Sequence, residues 1–145
     1  MKADAKTEKA VMTVLNKMGE AYARRDIEGL LALMVPDPDA FMYGTGADEK
    51  RQGLAEIQVQ AERDWSQSEA GSMEIGWHLV SAVGSVAWVA ADMAFKLTIG
   101  REEMGLPGRL TAVLEQRDGK WLIAQSHFSF PWAEQAEGES FTSSH

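Results

Sequence analysis

The chain contains no cysteine, which removes disulfides, thiolate catalysis, zinc–thiolate sites and iron–sulfur clusters from consideration. It has no apolar run long enough to span a bilayer, and its opening residues, MKADAKTEKAV, lack the apolar stretch of a signal peptide. A cytoplasmic location without a membrane partner is therefore expected. Basic residues are in the minority, 14 against 22 acidic ones for a net charge of -8, and they are scattered along the chain. A phosphate backbone would find no patch to hold, so no nucleic-acid partner is expected. The three histidines, His78, His127 and His145, come without an H-x-x-x-H spacing or a carboxylate cluster, and no metal is expected. The GREEMGLPG stretch carries glycines but neither follows the P-loop pattern nor opens a helix, so no nucleotide or other cofactor is expected.

What is present suits one soluble domain. At 145 residues the chain can bury a real core, and 45% hydrophobic residues are too many for a disordered segment. The expected domain runs over 6–132, followed by a polar, acidic tail over 133–145.

Periodicity then assigns the elements. Val11, Leu15, Met18 and Tyr22 recur at helical intervals, predicting a helix from Lys6 to Arg25. Asp26 stands at an N-cap position, and Ile27, Leu30, Leu31 and Met34 continue a short helix until VPDPDA stops it. DAFMYGTG reads as one strand over Ala40 to Tyr43. Leu54, Ile57, Ala61 and Trp65 share a face of a third helix, from Gly53 to Ser66. Four strands follow: Met73 to Val83, Ser85 to Ile99, Arg109 to Arg117, and Lys120 to Phe130. GREEMGLPG is read as a long connection and Asp118-Gly119 as a hairpin turn. Helices followed by an antiparallel meander give an α+β fold, three N-terminal helices covering one face of the sheet. In the Ser85 to Ile99 strand both alternating sets are largely apolar, so the second sheet face is expected to be covered by another copy of the chain, a homodimer.

The order helix, helix, strand, helix, four strands resembles the nuclear transport factor 2-like superfamily, the cone-shaped fold of ketosteroid isomerase. Within it, SVAWVAADM, GRLTAVLEQRDGKWLIAQSHFSFP and RDIEGLLALM resemble SnoaL-like proteins and the association domain of calmodulin-dependent kinase. The resemblance covers about Lys6 to Trp132. It implies a strongly curved antiparallel sheet, a homodimer and a deep pocket between helices and sheet. It does not imply one reaction, because this fold hosts isomerases, dehydratases, cyclases, binding proteins and scaffolds.

The isomerase chemistry needs a carboxylate base on the first strand and a protonated carboxyl beside a tyrosine. Matching RDIEGLLALMVPDPDAFMYG puts Tyr43 at the position of the base, and Ala112 or Val113 near that of the carboxyl, so steroid-type proton transfer is not implied. Two residues remain as acid–base candidates. Asp92 lies in a strand that reads as buried and needs a partner there, either in a pocket or as an ion pair with Arg109, Lys96 or His127. Strict alternation puts His127 with Trp121, Ile123, Gln125 and Ser129, and Phe128 with Leu122, Ala124 and Ser126. By the resemblance the Phe128 set faces the pocket, leaving His127 at the dimer face as a structural, hydrogen-bonded histidine. Tyr22, Met34, Phe41, Tyr43, Trp65, Trp88 and Phe128 form the expected apolar ligand-binding set, with Arg109 or Tyr43 available to hold an oxygen. The leading expectation is a domain that binds a small, largely apolar molecule. The alternatives are an isomerase, dehydratase or cyclase using Asp92 or His127, and an oligomerisation module.

Overall fold

Residues 1–141 are described by the computed structural model, and the last part of the expected tail, His145 included, lies outside them. The chain runs α1 (Ala5–Arg24), α2 (Ile27–Leu31), β1 (Phe41–Tyr43), β2 (Lys50–Gln52), α3 (Leu54–Ser66), β3 (Ala70–Val83), β4 (Val86–Ile99), β5 (Glu102–Arg117) and β6 (Lys120–Ser129). No helix is long and apolar enough to cross a membrane.

Local chemistry explains the helix ends. Asp4 caps α1 by accepting from the Thr7 N–H at 2.8 Å, which holds its carboxyl below the usual carboxylate range. Arg25 closes the helix in the left-handed region at φ 59°. Its guanidinium then donates to the carbonyls of Trp65 at 2.5 Å and Ser68 at 2.8 Å, binding the end of α1 to the end of α3. Asp26 caps α2 through the Gly29 N–H at 3.0 Å. The VPDPDA segment that stops α2 is tied down by an ion pair between Asp37 and Arg117.

The six strands form one sheet in the order β2-β1-β6-β5-β4-β3. β3 to β6 make the antiparallel meander, but β1 runs parallel to β6, with Tyr43 opposite His127, so the sheet is mixed where an all-antiparallel one was expected. The third helix is not N-terminal to all strands either, because β1 and β2 precede it. β2, whose three residues Lys50, Arg51 and Gln52 are neither β-branched nor aromatic, carries no strand signal in sequence and exists by pairing with β1.

GREEMGLPG is not a long connection. Gly100 and Arg101, at φ 60° and 68°, make a two-residue turn, and β5 starts at Glu102. Pro107 lies beyond Arg109, where β6 has ended, so β5 is an edge strand there, the setting in which a sheet tolerates proline.

Two irregularities reset the alternation of side chains. Ile75 pairs with Met93 and His78 with Ala91, so β3 carries an extra residue at Gly76-Trp77. Val113 pairs with Gln125 and Leu114 with Ile123, so β6 carries an extra residue at Ala124. The second corrects the strict alternation expected for the last strand. Trp121 and Ile123 share the helix-side face with Ser126 and Phe128, whereas Gln125, His127 and Ser129 face away.

All three helices lie on that inner face. At one end Val11, Leu15, Val80, Ala87, Leu110 and Leu114 pack into a solid core. Small residues permit the close approach: a β-carbon at Gly19 of α1 would stand 2.9 Å from the Met73 carbonyl oxygen of β3. Gly19→Ala is therefore expected to destabilise the fold by about 1–3 kcal/mol through overpacking, although alanine is the better helix former by about 1 kcal/mol. Chemical denaturation reads the sign directly. Equal or greater stability would show that α1 has room to lift from β3.

Candidate functional site

Beyond Gly19 the helices diverge from the sheet, and β4 and β5 continue past the end of α1. The space between is a cavity of about 320 Å³. Its sheet wall is Met73, Phe95, Leu97, Leu106, Ser126 and Phe128, with Phe130 at the end of β6. Phe95 meets Phe128 and Phe130 edge to face, at ring separations of 6.4 and 5.3 Å. Gly108 makes room for this, since a β-carbon there would fall inside the Phe95 ring. Met18 and Tyr22 of α1, Leu30 of α2, and Ile57 and Ala61 of α3 form the opposite wall.

The polar side of the cavity is on α3. Gln60 and Asp64, one turn apart, share the inward stripe with Ile57 and Ala61. The Tyr22 hydroxyl donates to Asp64 Oδ2 at 2.9 Å, and Gln60 Nε2 donates to Oδ1 at 2.8 Å. Gln60, itself buried, accepts from Arg51 Nε of β2 at 3.0 Å. The chain Tyr22–Asp64–Gln60–Arg51 thus joins α1, α3 and β2. Burial, then the Asp64 charge and its hydrogen bond, push the Tyr22 phenol well above its usual range, so it stays neutral and donates. The mouth is closed on one side by the β1–β2 loop, which α3 holds through Arg63. This guanidinium meets Asp48 at 2.8 and 3.2 Å, with Glu49 at 3.9 Å, and the pairing lowers the Asp48 carboxyl and raises Arg63.

Of the residues singled out from sequence, Tyr22, Met34 and Phe128 line the cavity. Trp65 does not line the cavity but packs, half-buried, between α3 and the end of α1, its indole N–H donating to the Tyr22 carbonyl at 3.1 Å. Met42, the middle residue of β1, faces in, so Phe41 and Tyr43 face out. Trp88, Asp92, Arg109 and His127 are exposed on the outer sheet face and line no part of the cavity. Asp92 is therefore not a buried carboxylate. It stands in register with Arg109, without an ion pair closer than 4 Å among the described residues. His127 lies against the Tyr43 ring, with centroids 5.1 Å apart and planes tilted by 48°, a ring contact in place of the hydrogen bonds expected for it. His78 is on the inner face of β3, 3.4 Å from Glu8 of α1.

The polar chemistry of the cavity thus moves from Asp92 and His127 to Asp64, Tyr22, Gln60 and Ser126. One signal for the α3 pair was present in the sequence: Gln60 and Asp64 fall three and seven residues after Ile57, on the same stripe. Nothing local joins Asp64 to Tyr22, 42 residues away.

A six-stranded sheet with helices over one face and a lateral cavity between them defines the nuclear transport factor 2-like class of α+β proteins. Within that class, a SnoaL-like domain profile matches residues 11–133, and the chain belongs to the SnoaL-like family. Solved structures agree on the fold. A protein of Streptomyces avermitilis, provisionally named a dehydratase of the nuclear transport factor 2-like family, is 18% identical with a TM-score of 0.79, over 90% of this chain and 100% of that one. A Xanthomonas campestris protein provisionally named a calcium/calmodulin dependent protein kinase II association domain is 24% identical with a TM-score of 0.76, over 90% and 94%. One from Novosphingobium aromaticivorans, provisionally named an aromatic ring hydroxylase, is 13% identical with a TM-score of 0.80, over 90% and 93%. No curated protein matches the chain by sequence.

The raised Tyr22 phenol sets an alkaline limit. The neutral form is favoured in the folded state, so its stabilisation is complete below the ordinary phenol value near 10 and is lost as the pH climbs above it. The chain has two tyrosines, so Tyr43→Phe isolates Tyr22. Absorbance at 295 nm is then expected to show no tyrosinate at pH 10.5 while the protein stays folded. A full tyrosinate signal at that pH with the fold intact would mean that Tyr22 is not shielded.

Proposed function

We propose that the chain binds a small, largely apolar molecule in a cone-shaped enclosure between α1, α3 and the far halves of β4 and β5, and that it works in the cytoplasm. The observation that carries this is the cavity itself: about 320 Å³, walled mainly by phenylalanine, methionine and aliphatic side chains, with its charged groups on the side of α3 and the β1–β2 loop. An oligomerisation module would have filled that space with its own side chains. Small apolar molecules of one to three rings are expected to raise the melting temperature by several degrees at saturating concentration. Leu106→Trp, which fills the cavity from the sheet side, is expected to abolish the shift. If the shift persists in that variant, the ligand sits elsewhere.

A second reading, acid–base catalysis inside the cavity, is supported by the neutral Tyr22 phenol hydrogen-bonded to the Asp64 carboxylate. It also accords with the provisional dehydratase name of the Streptomyces protein. In that reading proton transfer runs through Asp64 and Tyr22 and is indifferent to Asp92 and His127.

The outer sheet face supports a homodimer. Trp77 and Trp88, 60% and 40% exposed, stand there with Leu79, Val83 and Val86, a patch that a monomer would show to water. Light scattering at micromolar concentration is expected to give twice the chain mass, and Trp88→Glu to halve it. A monomeric wild-type protein would reject this assembly.

A further inference from the structure

Asp64 is an unusual carboxylate for this molecule. It is half-buried at the wall of an apolar cavity, yet among the described residues no cation stands within 4 Å of it. Its two hydrogen-bond donors, the Tyr22 hydroxyl and the Gln60 amide, are both neutral. The nearby guanidinium groups are engaged by other partners: Arg63, which lines the same cavity together with Glu49, pairs with Asp48 and Glu49, Arg51 donates to Gln60, and Arg25 donates to the carbonyls of Trp65 and Ser68. A carboxylate removed from water without a counter-charge is costly, and two neutral hydrogen bonds offset only part of that cost. Each oxygen has a lone pair left for another donor.

The opposite wall supplies an independent sign of a missing ligand. Ser126 of β6 is 3% exposed and lines the cavity, and its hydroxyl has no hydrogen-bond partner among the described residues. Since no fully enclosed polar atom lacks a partner, that hydroxyl opens onto the cavity. Four aromatic rings line the cavity, Phe95, Phe128 and Phe130 on the sheet side and Tyr22 on the helix side, among aliphatic and methionine side chains. Aromatic faces attract cations, and most strongly where water is excluded.

We propose that the ligand of this cavity is a hydrophobic amine: an ammonium group held by Asp64 on an apolar ring body that lies against Phe95 and Phe128, with Ser126 meeting a second polar group or the far edge of the ring. The proposal rests on the small-molecule reading above and narrows it to one charge class. A cation supplies at once the counter-charge that Asp64 lacks and the donor that its free lone pairs accept. A neutral alcohol supplies only the donor, and a carboxylic acid brings a like charge to Asp64. The carboxylate thus selects against anions as well as for cations.

Three ligands of nearly the same shape separate these cases: 2-aminotetralin, 2-tetralol and tetralin-2-carboxylate. Each is titrated at pH 7 against the intact chain loaded with N-phenyl-1-naphthylamine, an uncharged fluorescent probe of apolar cavities. The amine is expected to displace the probe at least tenfold more tightly than the alcohol, and the carboxylate more weakly than either. Asp64→Asn, read by the same displacement, is expected to bring amine and alcohol to within about twofold of each other. Ser126→Ala is expected to keep the amine preference. Equal affinity for amine and alcohol, a preference for the carboxylate, or an amine preference that survives Asp64→Asn would overturn the charge assignment and leave the cavity reading standing. Failure of the probe itself to bind would overturn both. Should the Asn variant not fold, the wild-type ranking of the three ligands decides.

Discussion

The extra residue at Ala124 lies between two residues of β6 whose partners on β5, Val113 and Leu114, are adjacent, and side chains alternate along a strand, so it inverts the facing of everything after it. Before it, Trp121 and Ile123 pack under the helices. After it, Ser126 and Phe128 face inward and His127 faces out. The cavity depends on this one insertion, since an unbroken ladder would have turned Gln125 and His127 toward α3 and put Phe128 on the open sheet face. The bulge at Gly76-Trp77 does the same for β3, turning His78 inward to Glu8 and leaving Trp77 outside.

A second constraint is the distance between α1 and the sheet. At Gly19 the helix touches the backbone of β3, and from there the two surfaces part. Tyr22, the next inward position on α1, lies beside Gly71 of β3 and reaches past the sheet to α3. The hydrogen bond that it gives Asp64 then spans the gap, and Arg25 ties the two helix ends together outside it. A polar link has replaced hydrophobic contact where the layers separate. The walls carry the apolar surface of the cavity, and the link carries charge at its side.

Solved structures with this fold carry different provisional names, and a fold by itself does not set an activity, so the differences must lie in what lines the cavity and what covers the outer sheet face. In this chain the groups expected from sequence to act as acid or base stand on the outer face, with Asp92 and Arg109 in register beside a tryptophan patch. The two faces are thus divided in role. One is open, aromatic and of mixed charge, suited to a second copy of the chain. The other is a largely apolar cavity with Glu49, Arg63 and Asp64 at its polar side, where Asp64 has no cation within 4 Å among the described residues.

Much of the fold was legible because it depends on local rules. The stripe from Val11 to Tyr22, the Asp26 cap, the stop at VPDPDA and the Asp118-Gly119 turn, whose φ angles are 50° and 78°, each follow from the residues within one or two turns of chain. The outline of the four long strands was legible in the same way; Tyr22 and Met34 were found for the cavity from their helical stripes, and Phe128 from the family resemblance. The rest was decided in three dimensions. β2 exists through its partner, the start of β5 through its pairing with the far half of β4, and the inward turn of Ser126 through an extra residue that has meaning only against the facing strand. Phe41, Tyr43, Trp88, Asp92, Arg109 and His127 carry the right chemistry for a site but face away from the cavity, because which set of an alternating strand points inward depends on where the helices sit. Asp64 and Tyr22 meet across 42 residues. Sequence determines the period of a strand or helix, since period is a property of the backbone, whereas the facing of each residue and the pairing of distant polar groups arise only when the layers pack.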